Sequence, residues 1–352
     1  MSRMLSEIRQ QPAALERTLT ESIRLAEDLR RRLQSDPPRL IVIAARGTSD
    51  AAALFGKYLI EIATGIPVAL AAPSISTIYK TKLQLEGALV VAISQSGEST
   101  DINCFLERAR EQRAMTLGIT NGASSVLSRL AEHTLLLQAG AEESVAATKT
   151  YTGEILLLYL LVWALGGEID LDRLRRLPGF AEAALSLESE IGSIVTRYTP
   201  MERAAVLGRG LNYSNAFEFA LKLMETCYVV AERFSSADFL HGPIAVVEPS
   251  FPMFVFAPAG PTWPSTQTTL GRLAELGAKT LVITDNGNPA VFRTTTLRVP
   301  VSLSQGTGPA ADELYTPIPY IIPAQIFAAL LSEKKGLNPD EPRGLGKVTL
   351  TL

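Results

Sequence analysis

One strand–turn–helix pattern occurs twice in this chain at matched spacing, and that repetition restricts the fold more than any other feature. Ile43-Ala44-Ala45-Arg46-Gly47 is echoed by Ala205-Val206-Leu207-Gly208-Arg209-Gly210. Val90-Val91-Ala92-Ile93 is echoed by Phe254-Val255-Phe256-Ala257, and Leu117-Gly118-Ile119-Thr120-Asn121 by Leu281-Val282-Ile283-Thr284-Asp285. Arg46 and Thr120 are 74 residues apart, and Arg209 and Thr284 are 75 apart. Two unrelated domains would rarely agree so closely, so the chain reads as one α/β unit written twice and joined near residues 166–200. In the first copy, apolar runs at 40–44, 66–71, 89–93, 115–120 and 134–137 read as strands. Helical patterns at 50–64 and 101–113 lie between them, after a leading helix at 13–34. Strands alternating with helices predict parallel sheets covered on both faces. In the second copy, residues 212–233 read as one helix. The expected organisation is a helical segment at 1–34, a first α/β domain at 35–170, a helical connector at 171–198, a second α/β domain at 199–340 and a tail or lid at 341–352.

The bulk numbers fit this reading. A chain of 352 residues accommodates two ordinary domains. A net charge of −3 gives no general attraction to nucleic acid or anionic lipid. The arginines at 30–32 and at 173, 175 and 176 fall at helix ends, where cations complement the dipole. Cys104 and Cys227 form no C-x-x-C, and only His133 and His241 add imidazole nitrogens, so a metal site is not expected. The first residues lack a secretory core, and the longest apolar run, 155–165, is about half a bilayer span. A cytoplasmic protein without membrane or nucleic-acid partners is expected.

The chemistry-bearing stretches differ between the copies. In the first, a buried strand runs into Ser94-Gln95-Ser96-Gly97-Glu98-Ser99-Thr100 and then a helix. Small hydroxyl donors and helix N-terminal amides converge there, which suits a phosphate. The lysine of a nucleotide P-loop is missing. Thr48-Ser49 stands at a second strand end of the same sheet, although Ser49 and Ser99 also suit plain N-caps. The second copy has Pro258-Ala259-Gly260-Pro261-Thr262-Trp263 at the loop position, so most hydroxyls are gone and prolines remove amide donors. That copy instead carries Lys222 and Glu225, three apart on one helix face among apolar neighbours, as either an exposed ion pair or a tuned acid–base pair. It also carries His241 in a Leu-His-Gly-Pro loop, either structural or functional. Near the end, Pro342-Arg343-Gly344-Leu345-Gly346-Lys347 reads as a tail or as a lid bearing Lys347.

Taken together these residues resemble the SIS (sugar isomerase) family, in particular the isomerase half of the glutamine–fructose-6-phosphate amidotransferases. The resemblance runs over nearly the whole chain. It includes Gly47-Thr48-Ser49, the loop Ser94 to Ser99, Val145-Ala146-Ala147-Thr148-Lys149, Glu218 to Glu225, Leu240-His241-Gly242-Pro243 and Pro342-Arg343 to Lys347. It implies two tandem doubly wound, flavodoxin-like SIS domains. It further implies that Thr48, Ser49, Ser94, Gln95, Ser96 and Ser99 bind a sugar phosphate near Val145 and Ala147. By the same resemblance Glu225 moves a proton between C1 and C2. His241, supplied by the partner subunit of a homodimer, assists ring opening. Lys222 and Lys347 stabilise oxyanion charge, and Lys347 is also able to form an imine. No cofactor is implied. Two positions depart from the family pattern: Ser99 replaces a threonine, and Ala147 replaces a serine close to the expected sugar. The chain starts Met1-Ser2, without the glutaminase's N-terminal cysteine. The expectation is therefore an amino-sugar-phosphate deaminase/isomerase with no glutaminase activity. A deglycase of phosphorylated sugar–amine adducts, an ammonia-dependent synthase, a simple aldose–ketose phosphate isomerase and a non-catalytic sugar-phosphate sensor are the alternatives.

Overall fold

The computed structural model describes residues 2–290, 292–303 and 313–347. Its contacts divide the chain into two compact units. The N-terminal unit comprises Ala13–Glu142, Lys149–Arg175 and the chain from Leu345; the C-terminal unit comprises the chain before Ala13, Glu143–Thr148 and Arg176–Gly344. The expected leading segment is two helices, Arg3–Arg9 in the C-terminal unit and Gln11–Ser35, which belongs to the N-terminal unit from Ala13 on.

The N-terminal unit holds five parallel strands: β1 (Ile41–Ala44), β2 (Val68–Leu70), β3 (Leu89–Ile93), β4 (Met115–Thr120) and β5 (His133–Leu136). Their spatial order is β2-β1-β3-β4-β5. The central strands β1 and β3 are buried along their whole length, as expected of apolar runs with helices on both faces. Beneath one face lie Val42, Val90, Ile102, Phe105, Leu106 and Leu127. The helix Lys149–Ala164 packs on Thr48–Thr64 and is apolar nearly all round, which places it inside rather than on the surface.

The C-terminal unit repeats the plan. Its strands are β6 (Arg203–Gly208), β7 (Val230–Ser235), β8 (Pro252–Phe256), β9 (Lys279–Asp285) and β10 (Thr295–Val299), all parallel, in the order β10-β9-β8-β6-β7. Read from its other edge this matches the first sheet strand for strand. Both chains of strands reverse direction between their first and third members, and ligands of open α/β sheets bind beyond the strand ends at such a switch point. A cluster of Tyr198, Phe219, Phe254 and Phe327 packs edge to face or tilted around the buried helix Pro317–Lys334.

One helix is shorter than its pattern predicts. The segment 212–233 is not a single helix: it ends at Cys227, and β7 follows from Val230. Tyr228 takes a left-handed backbone (φ 53°), and the Val229 N–H closes back on the Leu223 carbonyl at 3.2 Å. That six-residue closure satisfies a carbonyl of the last turn and stops the helix. Among the described residues no helix is long and apolar enough to cross a membrane.

Candidate active site

In the N-terminal unit, β3 delivers Ser94 to the carboxyl edge of the sheet, where the loop to the helix Thr100–Glu111 begins. Gly97 is the pivot of this loop. Its φ is 70°, and a Cβ there would lie 2.2 Å from Ser125 Oγ and 2.8 Å from Thr120 Oγ1, so only glycine fits. The Gly97 carbonyl accepts from Leu127 N–H (3.0 Å) and Asn103 Nδ2 (3.1 Å). The Gln95 carbonyl accepts from Asn121 N–H (3.0 Å) and Thr120 Oγ1 (3.3 Å). With these carbonyls turned into the fold, the loop is rigidly held. Ser94 Oγ and Ser99 Oγ stand 3.3 Å apart, and Ser96 Oγ accepts from Glu98 N–H at 3.2 Å. Ser99 occupies the N-cap position of its helix but makes no capping bond with its side chain. The Ile102 N–H is taken by Asp101 Oδ1 at 2.9 Å, while the N–H groups of Thr100 and Asp101 have no preceding helical carbonyl to bond, as at any helix start. Half-buried Gln95, Ser96 and Ser99 and buried Ser94 thus form a compact donor set.

The second expected contributor divides. Thr48 opens the helix Thr48–Thr64 and is half-buried. Ser49 is buried, and its hydroxyl donates to Glu154 Oε1 at 2.7 Å. Its one proton is therefore committed to the fold, and an acceptor-only phosphate would have to win it from a carboxylate. Glu154, the lone acid of an otherwise apolar helix, was not singled out by the sequence reading. Its isolation among apolar residues was the available signal. Glu142 was also missed. Fully buried, it accepts from Thr150 N–H (3.1 Å) and Thr150 Oγ1 (2.7 Å), and it receives Lys347 Nζ at 3.1 Å. Lys347 is thus held by a buried carboxylate in the N-terminal unit; residues 348–352 of the expected lid lie outside the described residues.

In the C-terminal unit, the helix Tyr213–Cys227 aligns Glu218, Lys222 and Glu225 at helical spacing. Lys222 Nζ lies 2.6 Å from Glu225 Oε2 and 3.6 Å from Glu218 Oε1. The Lys222 and Glu218 side chains are 0% exposed, whereas Glu225 is 22% exposed. The exposed-pair alternative is thereby removed: a fully desolvated ammonium is fixed between two carboxylates, one of which reaches solvent. Past this helix, Tyr228 OH accepts the Arg343 N–H at 2.9 Å, and the Arg343 guanidinium lies 4.2 Å from the Tyr228 ring centre. His241 is exposed and caps the short helix Ser236–Leu240, its N–H donating to the Asp238 carbonyl at 3.0 Å. Val145 and Ala147 are half-buried in this same unit, where the Val145 N–H donates to the Asp340 carbonyl at 3.1 Å. Among the described residues no cluster of three or more His, Cys, Asp or Glu side chains is arranged to hold a metal.

The SIS domain model matches residues 36–164 and 198–312, one match for each sheet. The chain belongs to the SIS domain family. It is 34% identical over 347 residues to the glutamine–fructose-6-phosphate aminotransferase [isomerizing] of Methanothermobacter thermautotrophicus, covering 98% of this chain and 56% of that protein. The SIS chain thus spans little more than half of that relative. Among solved structures it superposes on the C-terminal domain of glucosamine-fructose-6-phosphate aminotransferase from Francisella tularensis, with TM-score 0.84 and 27% identity over 97% of this chain and 98% of that one. The glucosamine-6-phosphate deaminase of Thermotoga maritima shares the fold, with TM-score 0.76 and 21% identity over 99% of this chain and 100% of that one. The two tandem SIS domains and the kinship to the isomerase part of the aminotransferases are therefore established, and with them a relationship to phosphosugar isomerases.

Proposed function

We propose that this chain binds a 6-phosphorylated amino sugar and converts glucosamine 6-phosphate and water to fructose 6-phosphate and ammonia. The observation that carries this reading is the Glu218–Lys222–Glu225 row. A carboxylate serving only as a counter-ion would be buried with its lysine, as Glu218 is; Glu225 instead keeps access to solvent while Lys222 fixes its orientation. In this reading Ser94, Gln95, Ser96, Ser99 and Thr48 hold the phosphate, and the amide of Ser49 rather than its hydroxyl assists. His241, from the partner subunit of a homodimer, helps open the ring. Glu225 then takes the C2 proton and returns it to C1. The C1 oxygen carries transient negative charge that Lys222 and Lys347 stabilise, and it takes up a proton as the amino nitrogen gives one up. The C2 imine so formed is hydrolysed, releasing ammonia and leaving the ketone. Kinship to aminotransferases that use fructose 6-phosphate supports the substrate class.

Ala147 favours one further reading. A methyl group beside the expected sugar leaves room for a substituent on the nitrogen, which suits deglycation of a phosphorylated sugar–amine adduct by the same proton transfer. The test is amine release by the purified chain across a panel of 6-phosphorylated amino sugars and sugar–amine adducts. Turnover of glucosamine 6-phosphate supports the first reading, and turnover of adducts alone supports the second. Tight binding with no release of any amine would sink both and leave the simple isomerase and the sensor.

A further inference from the structure

The serine loop has a neighbour that the resemblance does not assign. In the parallel register of β1 and β3, Ala44 stands opposite Ala92. Arg46 follows β1 by two residues and Ser94 follows β3 directly, so both stand at the carboxyl edge of the same two paired strands. The Arg46 side chain is 47% exposed, yet it is not loose: one terminal nitrogen lies 2.7 Å from Asp101 Oδ2, and the other donates to the Ala45 carbonyl at 3.3 Å. Asp101 is buried, with a side chain only 3% exposed, in the first turn of the helix that the loop enters. A buried carboxylate thus holds a half-exposed guanidinium at the start of that helix. Two bonds leave further N–H donors of the guanidinium uncommitted.

The second copy shows what the equivalent place is built to hold. Arg209 is the counterpart of Arg46, and Thr262, at the N-cap position of the helix Trp263–Glu275, is the counterpart of Ser99. There Thr262 Oγ1 donates to Glu313 Oε2 at 2.5 Å, and Glu313 is 3% exposed. The hydroxyl at that helix start therefore binds an anion that the chain itself supplies. Arg209 turns instead to Ser235 Oγ, at 2.9 Å.

We propose that Arg46 is a substrate-binding residue, whose guanidinium takes the phosphomonoester dianion together with Ser94, Ser96 and Ser99. The proposal rests on the reading of that loop as the phosphate site. Arg46 supplies the cation that a lysine supplies in nucleotide P-loops, and Asp101 fixes its plane. The competing role, a counter-ion that merely neutralises Asp101, makes a different forecast.

The test is calorimetric binding of inorganic phosphate to the full chain, beside KM for glucosamine 6-phosphate. Arg46→Ala weakens phosphate binding about tenfold or more, the loss of one charge-assisted hydrogen bond. Because Arg46→Ala also strands a buried carboxylate, the Arg46→Ala/Asp101→Asn double variant is the decisive protein. It stays about tenfold weak if Arg46 touches the phosphate, and Arg46→Lys falls between because an ammonium lacks the planar fork. Wild-type phosphate affinity in the folded double variant overturns the proposal. Ser96→Ala/Ser99→Ala is measured alongside. If it too binds phosphate as the wild type does, the loop itself is not the phosphate site; if it is weakened while the double variant is not, Arg46 alone falls.

Discussion

Serine hydroxyls that look alike in the sequence separate once their protons are followed. Ser49 gives its proton to buried Glu154, whereas Ser94, Ser96 and Ser99 cluster at the loop. Ser49→Ala is therefore expected to cost about 1–3 kcal/mol in urea unfolding, because a buried carboxylate loses a donor, while KM changes less than about twofold. A rise in KM as large as that of Ser96→Ala/Ser99→Ala would return the Ser49 hydroxyl to the substrate. Glu225→Gln is expected to lower kcat by about 10²–10⁴, the usual contribution of a positioned acid–base group, with phosphate binding retained; wild-type turnover would remove Glu225 from the reaction. At this scale the sequence pointed to residue types but not to their partners. Lys222 and Glu225 were legible because three residues on a helix set their distance. Ser49 and Glu154, 105 positions apart, meet only through the packing of two helices.

Elements were legible where one hydrophobic period ran unbroken. The strands at 89–93 and 115–120 coincide with their apolar runs because both faces of each strand are covered, so every position selects for the same chemistry. The helix through Glu225 was over-extended, since Val229, Val230 and Arg233 continue a helical pattern, although Val230 and Arg233 belong to the next strand. Its true end at Cys227 depends on a left-handed tyrosine, which no propensity announces. Cys227 also gives this element a pH signature. Burial pushes its thiol from 9.0 up to about 11, and its Sγ lies 3.2 Å from the Ala328 carbonyl. The unfolded thiol ionises first as pH rises, so the unfolded state binds fewer protons and stability falls between pH 9 and about 11. The loss should reach about 3 kcal/mol across that window. In urea titrations from pH 8 to 11, Cys227→Ala is expected to flatten this slope relative to the wild type; an identical slope would place the alkaline sensitivity elsewhere, for example at Tyr198, which burial also raises to about 12.

On the scale of the whole molecule, duplication was legible because spacing between strands survives when their loops diverge. The two sheets share one strand order, yet one copy kept the hydroxyl loop while the other seats its own Glu313 carboxylate on Thr262 and carries the Glu225 helix. Divergence of this kind divides labour, and His241 extends the division to a second subunit in the proposed mechanism. The ring sits on an exposed loop after a helix of only five residues, and Val246, five positions further along the chain, is exposed as well. An imidazole that acts on a sugar needs a shielded site to direct its proton, and a partner surface over this loop would provide one. Subunit mixing tests this directly. In the proposed homodimer, His241→Ala and Glu225→Gln proteins are each expected to be nearly inactive. In heterodimers, one of the two sites pairs an intact Glu225 with an intact His241 from the other chain. A symmetric dimer mixed at equal ratio should then recover about a quarter of wild-type ammonia release. Verified heterodimers that recover nothing would confine His241 to its own subunit's chemistry or remove it from the reaction.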